Sequence, residues 1–313
     1  MKNTNWSIAD IPSQSGRLAI VTGTGGLGYE TALAMAQAGA EVILAGRNET
    51  KGLQAVAIIQ ELHPDARIAF EKLDVASLAS IADFARRFAD VHSDLDLLVN
   101  NAGVMSPKTR RATADGFELQ FGTNYLGHFA LTAHLLPYLL RGRAPRVVQV
   151  SSLAHRQGSI LFDNLQGESG YHPWTFYCQS KLAMLLFALE LQRRSDSSGW
   201  GLISNAAHPG FARTDLVSNG PGDHSLISRL NRLLQPFLSQ SAAAGALPTL
   251  YAATAPEAKG GEYYGPNGFY EMKGPPAPAY IAPRARDLAS AQKLWDISEQ
   301  VTGVSFPSLA PAA

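Results

Sequence analysis

Short apolar runs alternate along this chain with longer amphipathic stretches. Arg17-Leu18-Ala19-Ile20-Val21 is apolar after its first residue and runs into glycines, the pattern of a buried strand. Gly28 to Ala38 is Ala-rich, carries Leu33 and Met35, and predicts a helix stopped by Gly39. Glu41 to Ala45 predicts a second strand, Thr50 to Leu62 a helix ending before Pro64, and Ile68 to Leu73 a third strand. From Ser77 to Val91, residues Leu78, Ile81, Phe84, Ala85 and Phe88 recur at helical spacing. Leu95 to Val99 is a strand closing on Asn100-Asn101-Ala102-Gly103, and a long helix lies within Gly116 to Leu140. Arg146 to Val150 is a strand ending at Ser151-Ser152, Pro173 to Arg194 a helix, and Leu202 to Ala207 a strand ending at His208-Pro209-Gly210. Such alternation implies βαβ units and an α/β fold, a parallel sheet covered by helices on both faces.

The last third reads differently. Residues 211–240 mix Gly, Pro, Ser and Asp with apolar positions, like a long excursion over a site. Ser241 to Thr254 predicts a small-residue helix. Residues 256–286 are rich in Gly, Pro and Tyr, and Asp287 to Gln300 closes the chain with a helix whose apolar side is Leu288, Ala291, Leu294, Trp295 and Ile297. Residues 1–16 are polar and are expected as a surface arm. A length of 313 residues has room for one large or two modest domains. No linker cuts residues 17–313, so they are expected as a single domain, with a substrate-loop region at about 211–240 and a tail at about 256–313.

Composition narrows the function classes. Apolar residues at 46% and charged residues at 17% describe a globular chain rather than a disordered one. Lys+Arg 26 balances Asp+Glu 26, so no overall charge argues for nucleic acid or an anionic membrane as partner. Cys178 is the single cysteine, which excludes a disulfide framework and a Cys/His zinc spacing and suits a reducing compartment. Met1 to Ser7 has no apolar core of the secretory kind, and no apolar run reaches spanning length. The expectation is a cytoplasmic protein with no membrane segment and no metal; His155, His172 and His208 have no second ligand at zinc spacing.

Two patterns carry candidate chemistry. Gly23-Thr24-Gly25-Gly26-Leu27-Gly28 fits G-x-G-x-x-G after a strand and before a helix, where backbone amides and a helix N-terminus can approach a pyrophosphate. The competing reading is a glycine-rich structural turn. About twenty residues on, where an acid would bind a ribose 2′-hydroxyl, the chain has Arg47. An arginine there suits a 2′-phosphate and favours NADP(H) over NAD(H), unless Arg47 is only a solvent-facing strand end. The second pattern is Tyr177 and Lys181, one turn apart on one helix face, a phenol beside an ammonium. Of the ten tyrosines, Tyr177 alone has a lysine four residues on. Cys178 next to it points away on a helix and reads as a small buried group.

In this order, Thr22-Gly23 with Gly26 and Gly28, Asp74-Val75, Asn100-Asn101-Ala102-Gly103, Asn124 in Thr123-Asn124-Tyr125-Leu126-Gly127-His128-Phe129, Ser151-Ser152, Tyr177 to Lys181, and His208-Pro209-Gly210 with Thr214 resemble the short-chain dehydrogenase/reductase superfamily. Arg47 in Ala45-Gly46-Arg47-Asn48, and Pro283 to Asp287 leading to Leu294-Trp295, resemble its retinol-dehydrogenase-like branch. The resemblance implies a Rossmann-type doubly wound sheet and hydride transfer between nicotinamide and a carbonyl or alcohol carbon. It implies Tyr177 as acid/base, its pKa lowered by Lys181 helped by an oxidised nicotinamide; Lys181 also on the nicotinamide ribose; Ser152 on the substrate oxygen; and Asn124 holding a relay water, unless Asn124 only caps or stitches helix to sheet. Gly23, Gly25, Gly26, Leu27, Gly28, Arg47, Asp74, Val75, Asn101, Ala102, Gly103, Pro209, Gly210 and Thr214 would bind the cofactor, Asp74 near adenine and the last three near the carboxamide. One departure is that the glycine turn is a residue shorter than the family's, and Tyr29 stands where the extended members have a further glycine.

Segments Val104–Arg110, Leu153–Trp174 and Phe211–Phe237 would roof the substrate pocket. Their Met105, Phe162, Tyr171, Trp174, Phe211, Leu216, Leu226 and Leu230 suggest a medium-to-large apolar or aromatic substrate. Rival readings are C=C reduction with the same Tyr–Lys pair, and a redox-sensing protein that binds the nucleotide without turnover. By analogy with relatives the helices within 116–140 and 173–194 would pair copies into a homodimer or homotetramer, and the sequence does not distinguish either from a monomer.

Overall fold

A computed structural model describes residues 5–212 and 240–307. Its strands are β1 (Leu18–Thr22), β2 (Glu41–Gly46), β3 (Arg67–Lys72), β4 (Leu97–Asn100), β5 (Arg146–Val150), β6 (Ile203–Ala207), β7 (Tyr263–Pro266) and β8 (Pro276–Pro278). They form one sheet in the order β3-β2-β1-β4-β5-β6-β7-β8. Every pairing from β3 to β7 is parallel, and β8 closes the edge antiparallel to β7.

Each strand alternates its side chains between two cores, as a pleated strand must. Leu18 and Ile20 join one, Ala19 and Val21 the other. Helices α1 (Gly26–Gln37), α2 (Glu49–Leu62) and α6 (Ala242–Thr254) supply Met35, Ile59 and Leu250 to the second core. Helices α3 (Leu78–Val91), α4 (Gly127–Leu139), α5 (Pro173–Ser198) and α7 (Leu288–Thr302) supply Phe84, Leu131, Leu185 and Trp295 to the first. Burial on both faces explains why β1 and β4 read as near-continuous apolar runs.

Several boundaries move. Helix α5 runs to Ser198, where Gly199 ends it at φ +65. The long helix expected within 116–140 starts beyond Gly116 and opens with a π turn, Phe121–Leu126, in which Gly127 N donates to Gly122 O. A Cβ on Gly127 would overlap the Val75 carbonyl, so glycine lets this helix pass the loop after β3. The Gly, Pro and Tyr-rich segment hides β7 and β8, because prolines at both ends of β8 mask a strand pattern. Prolines are tolerated there because β8 is an edge.

The polar arm is anchored rather than loose. Trp6 is buried, edge-on to Tyr251 at 5.4 Å, and Gln14 N donates to Ala38 O at 2.8 Å. Thr214, and with it Leu216, Leu226 and Leu230, lies outside the described residues. Among the described residues no helix is long and apolar enough to cross a membrane, and no His, Cys, Asp and Glu cluster could hold a metal ion.

Candidate active site

A cleft of about 620 Å³ runs along the C-terminal ends of the strands. It is bordered by Thr22, Gly46, Leu73, Asn101, Val150 and Pro209. Strand order reverses between β1 and β4, and at such a switch point the loops diverge and leave a crevice.

The glycine turn forms one wall. Gly23 at φ +96 and Gly26 at φ +50 take backbone that side chains resist. A Cβ on Gly28 would overlap the Gly23 carbonyl and lie 2.7 Å from Asn101 Nδ2. Helix α1 starts at Gly26 on N-cap Gly25, with no side-chain cap and no acid in its first turn. Its amides and positive dipole end therefore suit an anionic ligand. Despite its shortness, the turn is braced. Thr22 Oγ1 accepts from Asn101 N and Ala102 N, both at 2.9 Å, and Asn101 Nδ2 donates to Thr22 O at 2.7 Å.

Arg47 follows β2 at the cleft rim, exposed, with Lys51 nearby in the lining. Among the described residues no carboxylate pairs with Arg47, so its charge is available to a ligand. Val75 is buried in the same wall. Asp74 spends Oδ1 on Ala76 N at 3.0 Å, the bond of a local turn, and lines the cleft beside it.

The other end holds the reactive groups. Tyr177 and Lys181 lie on α5, both buried, with Lys181 Nζ 5.9 Å from the centre of the Tyr177 ring. Lys181 Nζ donates to Val150 O at 2.9 Å, and burial brings its pKa down to about 8. The Tyr177 phenol is pushed up to about 12 by burial, with the Ser152 hydroxyl pulling the other way. The expected lowering of the phenol by Lys181, helped by an oxidised nicotinamide, is not among these causes. Desolvation of the phenol dominates, and the ammonium faces a carbonyl rather than the phenol oxygen. The adjacent serines part company. Ser151 is buried and donates to Lys181 O at 2.7 Å, whereas Ser152 is half-buried and beside the phenol.

Asn124 sits in the π turn, fully buried. Its Oδ1 accepts from Val104 N at 2.7 Å, and its Nδ2 donates to Val104 O and to Ser180 Oγ. Both amide N–H donors are thus spent within the protein, and Oδ1 keeps one acceptor site. Gly103 keeps the space open: a Cβ would lie 3.1 Å from Asn124 Oδ1 and 3.7 Å from Lys181 Nζ.

Sequence comparison decides the family. The model of the short chain dehydrogenase family matches residues 17–223. The chain belongs to the short-chain dehydrogenase family. It is 41% identical over 300 residues to mouse polyprenol dehydrogenase, covering 94% of this chain and 86% of that protein. It is 39% identical over 294 residues to human retinol dehydrogenase 12, covering 93% and 88%. An uncharacterised protein of Mycobacterium paratuberculosis, solved by crystallography, superposes with TM-score 0.80 at 40% identity, covering 97% of this chain and 99% of that one. A Shigella flexneri short chain dehydrogenase solved with NADP superposes at TM-score 0.63 and 26% identity, covering 81% and 98%. This short-chain dehydrogenase falls in the retinol-dehydrogenase-like branch and is an NAD(P)-dependent oxidoreductase acting on CH–OH or C=O groups.

The dehydrogenase's cleft gathers Gly23, Gly25, Gly26, Leu27, Arg47, Asp74, Val75, Asn101, Ala102, Gly103, Ser152, Tyr177, Lys181, Pro209 and Gly210. Gly28 packs behind the turn and Asn124 behind Gly103. Met105, Trp174 and Phe211 line the cleft, but Phe162 and Tyr171, expected there, do not. Tyr171 stacks on Phe176 and donates to Glu118 Oε1, and Phe162 lies under Lys293 Nζ at 4.3 Å. Cys178 is inert packing against Ala154 and Tyr177, its thiol pushed up to about 11 by burial. One residue escaped the sequence reading: buried His128, brought down to about 4 by burial, lies 3.0 Å from Thr22 Oγ1 and 2.8 Å from Asn124 O. It links the glycine turn to the π turn, and its only sequence signal was its place in the Asn124 motif.

Proposed function

We propose that this enzyme uses NADP(H) to interconvert a carbonyl and an alcohol on a medium-to-large apolar or aromatic compound. The observation that carries the reading is one cleft with Ser152, Tyr177 and Lys181 at one end and, at the other, Arg47, which has no carboxylate partner among the described residues. The glycine turn and uncapped α1 suit the pyrophosphate, and Arg47 suits a 2′-phosphate. The Shigella relative's NADP complex and the apolar alcohols in the relatives' names support the same choice.

When bound, the nicotinamide supplies or accepts the hydride. Tyr177 gives or takes the proton at the substrate oxygen, and Ser152 donates a hydrogen bond to the charge developing there. Burial raises the phenol and favours its protonated form, and positive charge placed beside it would lower it. Lys181, near 8, can pass a proton close to physiological pH. Met105, Trp174 and Phe211 present apolar surface to the substrate and exclude water.

NADPH and NADH binding should be compared for the wild type and for Arg47→Asp. A preference for NADPH that reverses in the variant supports the cofactor reading; an unchanged preference refutes it. A panel of apolar ketones, aldehydes and enones, read by NADPH absorbance, tests the substrate reading. Turnover of enones alone would favour C=C reduction instead.

A further inference from the structure

Two turns wall the reactive end of the cleft. One is the 3₁₀ turn Leu153–Gln157, which follows Ser152, and the other is Pro209–Gly210, which follows β6. Among the described residues one carboxylate side chain joins them. Glu271 Oε2 accepts from His208 Nε2 at 3.0 Å and from the Arg156 guanidinium at 2.6 Å. Its Oε1 accepts from Tyr280 N at 3.0 Å.

His208 carries the effect into the backbone. It is fully buried, and its Nδ1 accepts from Gly210 N at 3.1 Å. Its proton therefore sits on Nε2 and is donated to Glu271. Phe211 N adds a bond to Met272 O at 2.8 Å, and a Cβ on Gly210 would overlap that same carbonyl. On the other side, Arg156 follows His155, whose Nδ1 donates to Ser152 O at 2.7 Å. Both turns are thus tied to the segment carrying Glu271, and Glu271 reaches each of them.

The segment is held under strain. Tyr270 at φ 49 and Glu271 at φ 59 occupy the left-handed region without being glycine. Such backbone persists where its surroundings over-determine it, and it concentrates at working sites. Phe269 and Tyr270 are largely exposed, so core packing does not explain the conformation. The three bonds of the Glu271 carboxylate hold it, together with the turn's own backbone bond from Glu271 N to Gly268 O at 2.8 Å.

We propose that Glu271 is a positioning residue that sets the spacing between the Ser152 turn and the Pro209–Gly210 turn. The nicotinamide end of the cofactor cleft depends on that spacing, and the adenosine end, beyond the glycine turn, does not. This rests on the NADP(H) reading above. Glu271→Gln keeps the shape and one acceptor but removes the charge that holds His208 and Arg156 together.

The experiment measures NADPH affinity by fluorescence titration and 2′,5′-ADP affinity by calorimetry, on wild type and Glu271→Gln. NADPH affinity should fall about tenfold and 2′,5′-ADP affinity should stay within about twofold. Equal losses for both ligands would mean general loosening and would overturn the proposal. So would unchanged NADPH affinity. If Glu271→Gln does not fold, Arg156→Gln carries the test, because that half-buried side chain breaks one arm only. It should show the same split between ligands, and a variant without the split overturns the proposal. A folded wild type that binds neither NADPH nor 2′,5′-ADP would defeat the cofactor reading, and this inference with it.

Discussion

Ser151 and Ser152 offer a test in which two neighbours should fail in opposite ways. Ser151 is 2% exposed and its hydroxyl donates to Lys181 O at 2.7 Å. Ser151→Ala removes that bond, but Lys181 O lies within α5, where the helix supplies another donor. The loss is then that bond and the contact of the buried Tyr263 phenol with the hydroxyl, about 1–2 kcal/mol, and a fall of roughly 2–8 °C in melting temperature. The rate should change little, because the hydroxyl is buried and committed to Lys181 O. Ser152→Ala reverses the pattern. Its hydroxyl accepts from Ala154 N at a long 3.2 Å, so stability should fall by no more than about 1 kcal/mol. The rate should fall about 10²–10³-fold, the usual worth of one donor to a developing oxyanion. Thermal melts and NADPH-linked initial rates on an accepted carbonyl measure both quantities. A Ser151→Ala enzyme that loses the rate while Ser152→Ala keeps it would refute the assignment.

Tyr177→Phe should bind NADPH as the wild type does and lose about 10²–10⁴-fold in kcat, measured by titration and initial rates; retained turnover would remove the phenol from the mechanism. Lys181 predicts a pH effect on stability. Its pKa falls from 10.5 to about 8 on folding, so between those values the unfolded chain holds the extra proton, and raising the pH favours the folded state. Denaturant melts should therefore show wild type gaining up to about 3 kcal/mol on Lys181→Met between pH 7 and pH 11; a gap that stays flat would contradict the buried ammonium. Gly28→Ala should abolish tight NADPH binding while the fold survives, because the added Cβ must displace the Gly23 carbonyl. Calorimetry at about 100 µM protein reads the loss, and binding within about twofold of wild type would show that the turn adapts.

The readable part of the site is local in sequence. Tyr177 and Lys181 meet because four residues make one helical turn, and the glycines of 23–28 act through their own backbone. Arg47 could be placed at a cleft because strand ends in a doubly wound sheet open on one. Where neighbours come from afar, reading stopped. His208, Arg156 and Glu271 carry no shared motif, and their meeting depends on β7 docking beside β6. Trp6 read as part of a polar arm because its partner, Tyr251, lies on α6. Tyr171 looked like pocket lining because aromatic character says nothing about Glu118 and Gln120 waiting across the chain.

The amino-acid sequence by itself determined the alternating elements, the two-sided burial of the sheet, the glycine turn and the Tyr–Lys pair. Each follows from periodicity or from backbone freedom within a few residues. The tertiary structure decided which serine hydroxyl lies beside the phenol, how Asn124 spends its amide, and in which direction burial shifts the Tyr177 phenol. Those are sums over distances and burial, and such sums exist only once distant segments have packed together.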